Sequence, residues 1–155
     1  MLKLTGCILL IFACSGAGFA AADKLLKRVN ELKILLDLLH KTGIYLTSDF
    51  LSTDEIFARF DREKFGVIID FSKSVDDEGF VTDKSSIPDN LKIKLKEYFR
   101  EFGATDLKGQ YAKTELLTCE VQQILDSEKD RCLRHCKLYK ALGFLSGAFL
   151  AVMLI

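Results

Sequence analysis

The 155-residue sequence carries 22 Lys and Arg against 22 Asp and Glu, a formal net charge of zero. The length predicts one domain with one modest core, and the balance excludes the basic excess of a nucleic-acid binder. Lys3 is the one charge before Asp23 and none follows Lys140, so two apolar ends flank a charge-dense middle; one proline and no tryptophan favour helices over a sheet.

The first apolar stretch, Leu4 to Ala22, is 19 residues, ~28 Å as a helix at ~1.5 Å per residue and close to a hydrocarbon core of ~30 Å. It predicts a transmembrane helix over residues 1–22. The same stretch fits a cleaved signal peptide, with Lys3 as a basic start, Gly6 to Phe12 as an apolar centre and Ala20-Ala21-Ala22 as a cleavage site. Lipobox-like tetrads end at Cys7 and Cys14, but the first lacks a preceding apolar run and the second has a bulky Phe12. With Cys119, Cys132 and Cys136 the cysteines number five, without the spacing of a disulfide framework, which points to a reducing compartment.

Residues 23–140 read as a helical bundle and charged stalk. Leu25, Val29, Leu32, Leu36, Leu39, Gly43, Leu46 and Phe50 recur in steps of four and three, one helical stripe that Leu26, Leu35 and Leu38 widen into a bundle face. The first span is expected to continue as a long helix to about Thr47. Ser52 and Glu55 form S-x-x-E, a capping box for a second helix with Ile56, Phe57 and Phe60 inward and a break at Gly66. Val67, Ile68, Phe71 and Val75 suggest a third helix closed by Gly79, and Phe80 to Ile87 is turn-like. Asp89 or Asn90 caps a helix with Leu91, Leu95, Tyr98, Phe99 and Phe102 inward, ended by Gly103. Thr105 or Asp106 caps the last helix, whose core face is Tyr111, Leu117, Val121, Ile124 and Leu125. Beyond Asp126 a solvated stalk is expected.

Residues 141–155 are uncharged and predict a second transmembrane helix. At ~22 Å it is short, and it lengthens if Leu138 and Tyr139 join and Lys140 snorkels. Gly143 and Gly147 form G-x-x-x-G, continued by Ala151, and Cys14, Gly18 and Ala22 make a similar small-residue ridge. Gly18, Gly143 and Gly147 are thus candidates for close helix packing in the membrane. Lys24, Lys27 and Arg28 follow the first stretch, and Arg131, Arg134, Lys137 and Lys140 precede the second, so retention of positive charge puts the middle in the cytoplasm. The alternative is an exported helical binding module, cleaved after Ala22 and held by its C-terminal tail.

C-L-R-H-C sets Cys132, His135 and Cys136 on one helix face at i, i+3 and i+4, a face able to bind zinc with an outside ligand. The same positions continue the stripe from Leu125, where cysteine serves as a small hydrophobe, and packing is the expected role. Cys119 lies 13 residues earlier, ~20 Å along the helix, too far to join them. His40 reads as a boundary residue and Asp76-Asp77-Glu78 as a solvated loop. No nucleophile has a local base partner and no phosphate-binding glycine loop is present. The expectation is a non-enzymatic protein without cofactor or metal.

The ending from Lys137 to Ile155, K-L-Y-K-A-L-G-F-L-S-G-A-F-L-A-V-M-L-I, resembles the C-terminus of the stage III sporulation protein AB family, with its basic-aromatic flank, L-G-x-L-x-G and aliphatic finish. Phe102-Gly103-Ala104-Thr105-Asp106 followed by Gln110 is similar to that family's L-G-x-S-D-x-x-x-Q. The opening M-L-K-L-x-G and the leucine-rich helix to Ile44-Tyr45 agree as well. Where the family has T-P-L, this chain has Asp49-Phe50-Leu51. The resemblance implies an all-α cytoplasmic bundle between N-terminal and C-terminal transmembrane helices, similar to the platform protein of type II secretion and type IV pilus systems. It also implies a scaffold on the mother-cell side of the complex linking mother cell and forespore, beside a secretion-type ATPase and other membrane subunits.

Overall fold

The computed structural model describes the backbone over 2–48, 53–73, 77, 80–104 and 106–154. Side chains are described over 18–47, 55–73, 77, 80–104, 106–139 and 141–143, with Ala13, Gly16, Leu145, Ser146 and Phe149. Ser52, Val75, Gly79, Thr105 and the side chains of Gly147, Ala151 and most of Leu4 to Ala22 therefore lie outside the described residues. The fold is all-α: α1 (Leu2–Ser48), α2 (Thr53–Ala58), α3 (Arg62–Phe65), α4 (Asp89–Arg100) and α5 (Leu107–Leu154). It divides into two compact units, 30–126 and the paired ends 1–29 with 127–155. Among the described residues no helix is long and apolar enough to cross a membrane.

In the unit 30–126, α1 buries Leu32, Leu35, Leu38, Leu39 and Leu46, α4 buries Leu91, Leu95, Tyr98 and Phe99, and α5 buries Leu117, Val121 and Leu125. Each fully buried leucine or phenylalanine contributes about 1.5–3 kcal/mol, which outweighs the roughly 1 kcal/mol that Gly43 costs inside α1. Below these helices lies an aromatic cluster centred on Phe57. Its ring is 5.7 Å from Phe60, 5.6 Å from Phe80, 5.8 Å from Phe99 and 5.8 Å from Phe102. Edge-to-face and tilted pairs of this kind add to area burial because ring edges meet ring faces of opposite partial charge.

Polar contacts fix the short elements on this core. The Asp61 carboxylate accepts from the Glu63 and Lys64 backbone N–H groups at 3.1 and 3.2 Å and starts α3. Lys64 then reaches Asp37 of α1 at 2.7 Å, and that hydrogen bond holds the Asp37 carboxyl below its ordinary pKa. Buried Glu31 accepts the Ser86 N–H and pins the approach to α4. Gly103 adopts φ 91° after α4, and Asp106 opens α5 by accepting from Gly109 N–H at 3.2 Å.

Four expectations are corrected. The helix expected from Val67 is absent over its described residues: Ile69 pairs with Val81 in an isolated antiparallel bridge, held by Asp70 N–H to Phe80 O and Thr82 N–H to Ile68 O, both 2.8 Å. The β-branched run Val67-Ile68-Ile69 suits extended backbone, and the Asp70 carboxylate takes the Ser72 hydroxyl at 2.6 Å and its N–H at 3.1 Å, a turn that competes with a helix. Those bonds also lower the Asp70 pKa, the hydroxyl most. Second, α4 begins after Pro88 without a side-chain cap, because proline already presets the chain there. Third, Tyr111 is exposed, and Gln110 and Thr114 take the inward positions. Fourth, Glu128 in the expected stalk is buried.

Candidate functional site

In the unit formed by the chain ends, the N-terminal part of α1 runs antiparallel to the C-terminal part of α5. Contacts pair Gly18 with Tyr139 and Gly143, Ala22 with Cys136, and Arg28 with Glu128. At Gly18 the approach is closest: a Cβ built there would stand 2.6 Å from the Tyr139 carbonyl oxygen and 3.3 Å from Gly143 Cα. Only a residue without a side chain fits, so two helix backbones touch where other residues would hold them apart. The structure brings Gly18 and Gly143 together; the side-chain position of Gly147 is outside the described residues.

Ala22 is fully buried one turn further along, with Cys136 Sγ 3.7 Å from its carbonyl oxygen. Beyond it Glu128 receives Arg28 at 3.1 Å and Arg131 at 3.6 Å. Burial of this carboxylate is tolerated because two guanidinium groups face it. The outer side of the same unit is apolar, with Phe19, Leu138, Leu142, Leu145 and Phe149 each more than half exposed.

Cys132 is buried and Cys136 half-buried, while His135 is exposed and stacks its ring on Tyr139 at 6.0 Å. The three residues that share a sequence spacing thus split between two environments. Among the described residues no group of three or more His, Cys, Asp or Glu side chains converges as a metal site.

Within the unit 30–126 a groove of about 430 Å³ lies between α1 and α5, lined by His40, Gly43, Ile44, Tyr111, Glu115 and Cys119 among others. Ile44 is 57% and Tyr111 42% exposed, so apolar surface stands open to solvent here. Sequence periodicity missed this groove because it placed Tyr111 in the core. Behind it Thr114 donates to the Gln110 carbonyl at 2.8 Å and receives the Tyr98 hydroxyl at 2.8 Å. Burial pushes the Tyr98 pKa up to about 12, against the opposing effect of the Thr114 bond. On the other side of α5, Lys113 bonds Glu101 at 2.7 Å and lowers its pKa, and Lys94 pairs with Glu120, leaving Leu116 71% exposed between the two pairs.

The family model described as stage III sporulation protein AB matches residues 3–78 and 71–155. No curated protein and no solved structure matches the chain.

Proposed function

Because the chain belongs to the stage III sporulation protein AB family, and so has a role in stage III of sporulation, we propose that it is a non-enzymatic membrane scaffold. Its two ends hold the helical middle against the mother-cell face of the membrane. There the middle docks a secretion-type ATPase and other membrane subunits of the complex that links mother cell and forespore.

The observation that carries this reading is the close antiparallel pairing of the two chain ends at Gly18. Two ends joined so tightly enter the bilayer from one side, and both are followed or preceded by basic residues, Lys24, Lys27 and Arg28 on one helix and Arg131, Arg134 and Lys137 on the other. The exposed Phe19, Leu138, Leu142, Leu145 and Phe149 are a surface that water disfavours and lipid accepts. The uncharged run from Ala141 is short for a span, and Leu138, Tyr139 and a snorkelling Lys140 extend it.

Exposed Cys119 tests the topology. In sporulating cells a membrane-impermeant thiol reagent should leave Cys119 unlabelled until the cells are permeabilised, and labelling in intact cells would place the middle outside. Removal of residues 141–155 should lower the count of heat-resistant spores and leave the chain in the membrane fraction, held by residues 1–22, whereas its release would favour the exported module held by its C-terminal tail. Mature protein beginning at Asp23 would refute the paired anchors and favour the exported module.

A further inference from the structure

The outer face of α5 in the paired ends changes character along its length. Leu138, Leu142, Leu145 and Phe149 follow one another in steps of four, three and four, each more than half exposed, so they form one stripe on one side of the helix. Arg134 stands one turn before Leu138 and Arg131 two turns before it, both exposed. Two guanidinium groups therefore stand at the polar end of the stripe. In the unit made by the two ends, Lys and Arg outnumber Asp and Glu nine to three, although the whole chain is balanced.

The stripe has the length of one bilayer leaflet. From Leu138 to Phe149 it rises ~16 Å at ~1.5 Å per residue, and half of a hydrocarbon core of ~30 Å is ~15 Å. Arg134 and Arg131 follow ~6 and ~10 Å beyond its polar end, in and at the outer edge of a headgroup layer ~5–7 Å thick. Arg131 approaches Glu128 at 3.6 Å with its side chain 60% exposed, and Arg134 donates its Nε–H to the Asp130 carbonyl at 3.2 Å. Each contact engages one nitrogen of a group with five N–H donors, whose fork matches two oxygens of a phosphate. Leucine and phenylalanine without small residues suit acyl chains rather than a second helix, whose close approach needs a residue such as Gly18.

We propose that this face of α5 binds an acidic phospholipid, with the phosphate on Arg131 and Arg134 and the acyl chains along Leu138, Leu142, Leu145 and Phe149. A zwitterionic lipid carries its own cation beside the phosphate, so two guanidinium groups favour a headgroup of net negative charge. The site rests on the membrane placement proposed above and adds to it a lipid class and one side of one helix.

The test uses the full chain in phosphatidylcholine vesicles. Tyr139→Trp, 40% exposed between Leu138 and Leu142, supplies the one tryptophan of the chain. Its fluorescence is quenched by small fractions of phosphatidylglycerol or phosphatidylcholine brominated on the upper part of the acyl chains. One basic side chain near an acidic headgroup implies about fivefold preference and two imply about 30-fold. A preference of about 5- to 30-fold for phosphatidylglycerol is expected, falling to about one when Arg131→Gln and Arg134→Gln are combined. Lys129→Gln with Lys137→Gln removes the same charge off the stripe and should keep most of the preference, with the helix content of every variant checked by circular dichroism. Equal quenching by the two lipids before any arginine is changed, equal loss in the two double variants, or no quenching by either lipid because protein covers the stripe overturns the proposal. In each of those cases a chain that floats with the vesicles leaves the membrane placement standing. A chain that floats with neither phosphatidylcholine nor phosphatidylglycerol vesicles refutes the placement, and this site with it.

Discussion

Gly16 and Gly18 lie two residues apart on α1 and form a matched pair for testing whether backbone contact holds the chain ends together. A Cβ on Gly16 meets nothing within 4 Å, whereas one on Gly18 stands 2.6 Å from the Tyr139 carbonyl oxygen. Ordinary contact begins near 3.4 Å, so Gly18→Ala must separate the two helices by about 0.8 Å, and a carbonyl fixed in a helix cannot swing aside. Overpacking of this kind costs about 1–3 kcal/mol. Both variants gain roughly 1 kcal/mol of helix propensity, so the difference between them isolates the contact.

A local reporter is available in Cys132, which is 7% exposed and must be uncovered before it reacts. With the other four cysteines replaced by serine, its labelling rate follows the opening of the paired ends when reclosing is fast. Gly18→Ala should label about 5- to 160-fold faster than Gly16→Ala, the factor that 1–3 kcal/mol implies, and Gly16→Ala should label no faster than wild type. Equal rates in the two variants would refute the reasoning, since both alter helix propensity alike and only one meets α5.

Three further outcomes follow from the unit 30–126. Tyr98 has its pKa raised to about 12 from 10.0, so the unfolded chain loses this proton first and stability falls as pH rises from 10 towards 12, by up to about 3 kcal/mol. Tyr98→Phe should cost about 1 kcal/mol at pH 7 through the lost Thr114 bond, and chemical denaturation at pH 11 should find that gap closed; an unchanged gap contradicts the burial argument. Gly103, at φ 91°, should lose about 1–2 kcal/mol on substitution by alanine and less by asparagine, which visits the left-handed region more readily; thermal melts of both variants check the order. Phe99→Ala, at a ring 1% exposed and packed on Phe57, Phe80 and Tyr98, should cost about 3–5 kcal/mol in denaturant titration, and a cost below 1 kcal/mol would mean the aromatic cluster is not packed as described.

What was legible in the sequence rests on local chemistry. The steps of three and four from Val29 to Leu46 and from Leu117 to Leu125 set which side of α1 and α5 faces the core, because a helix repeats every 3.6 residues whatever surrounds it. Gly103 and Asp106 were readable as a stop and a start for the same reason: left-handed backbone and an N-cap are conditions a residue meets with its immediate neighbours. The stretch Val67 to Phe71 misled because its period fits a helix while its partner is Val81, outside any local window. Tyr111 misled because the buried stripe, followed back from Leu117 in the same steps of three and four, lands on the polar Gln110 and Thr114, which an apolar pattern passes over in favour of the neighbouring tyrosine.

The sequence by itself thus determined the all-α class, the extent of the two long helices and the two uncharged ends. Only the tertiary structure decided that Phe80 belongs to the aromatic cluster, that Glu128 is buried opposite Arg28, and that Gly18 meets the Tyr139 carbonyl and Gly143. Periodicity tells which side of a helix is apolar or small, but two helices choose their register by the fit of their surfaces, and that fit joins residues more than a hundred positions apart.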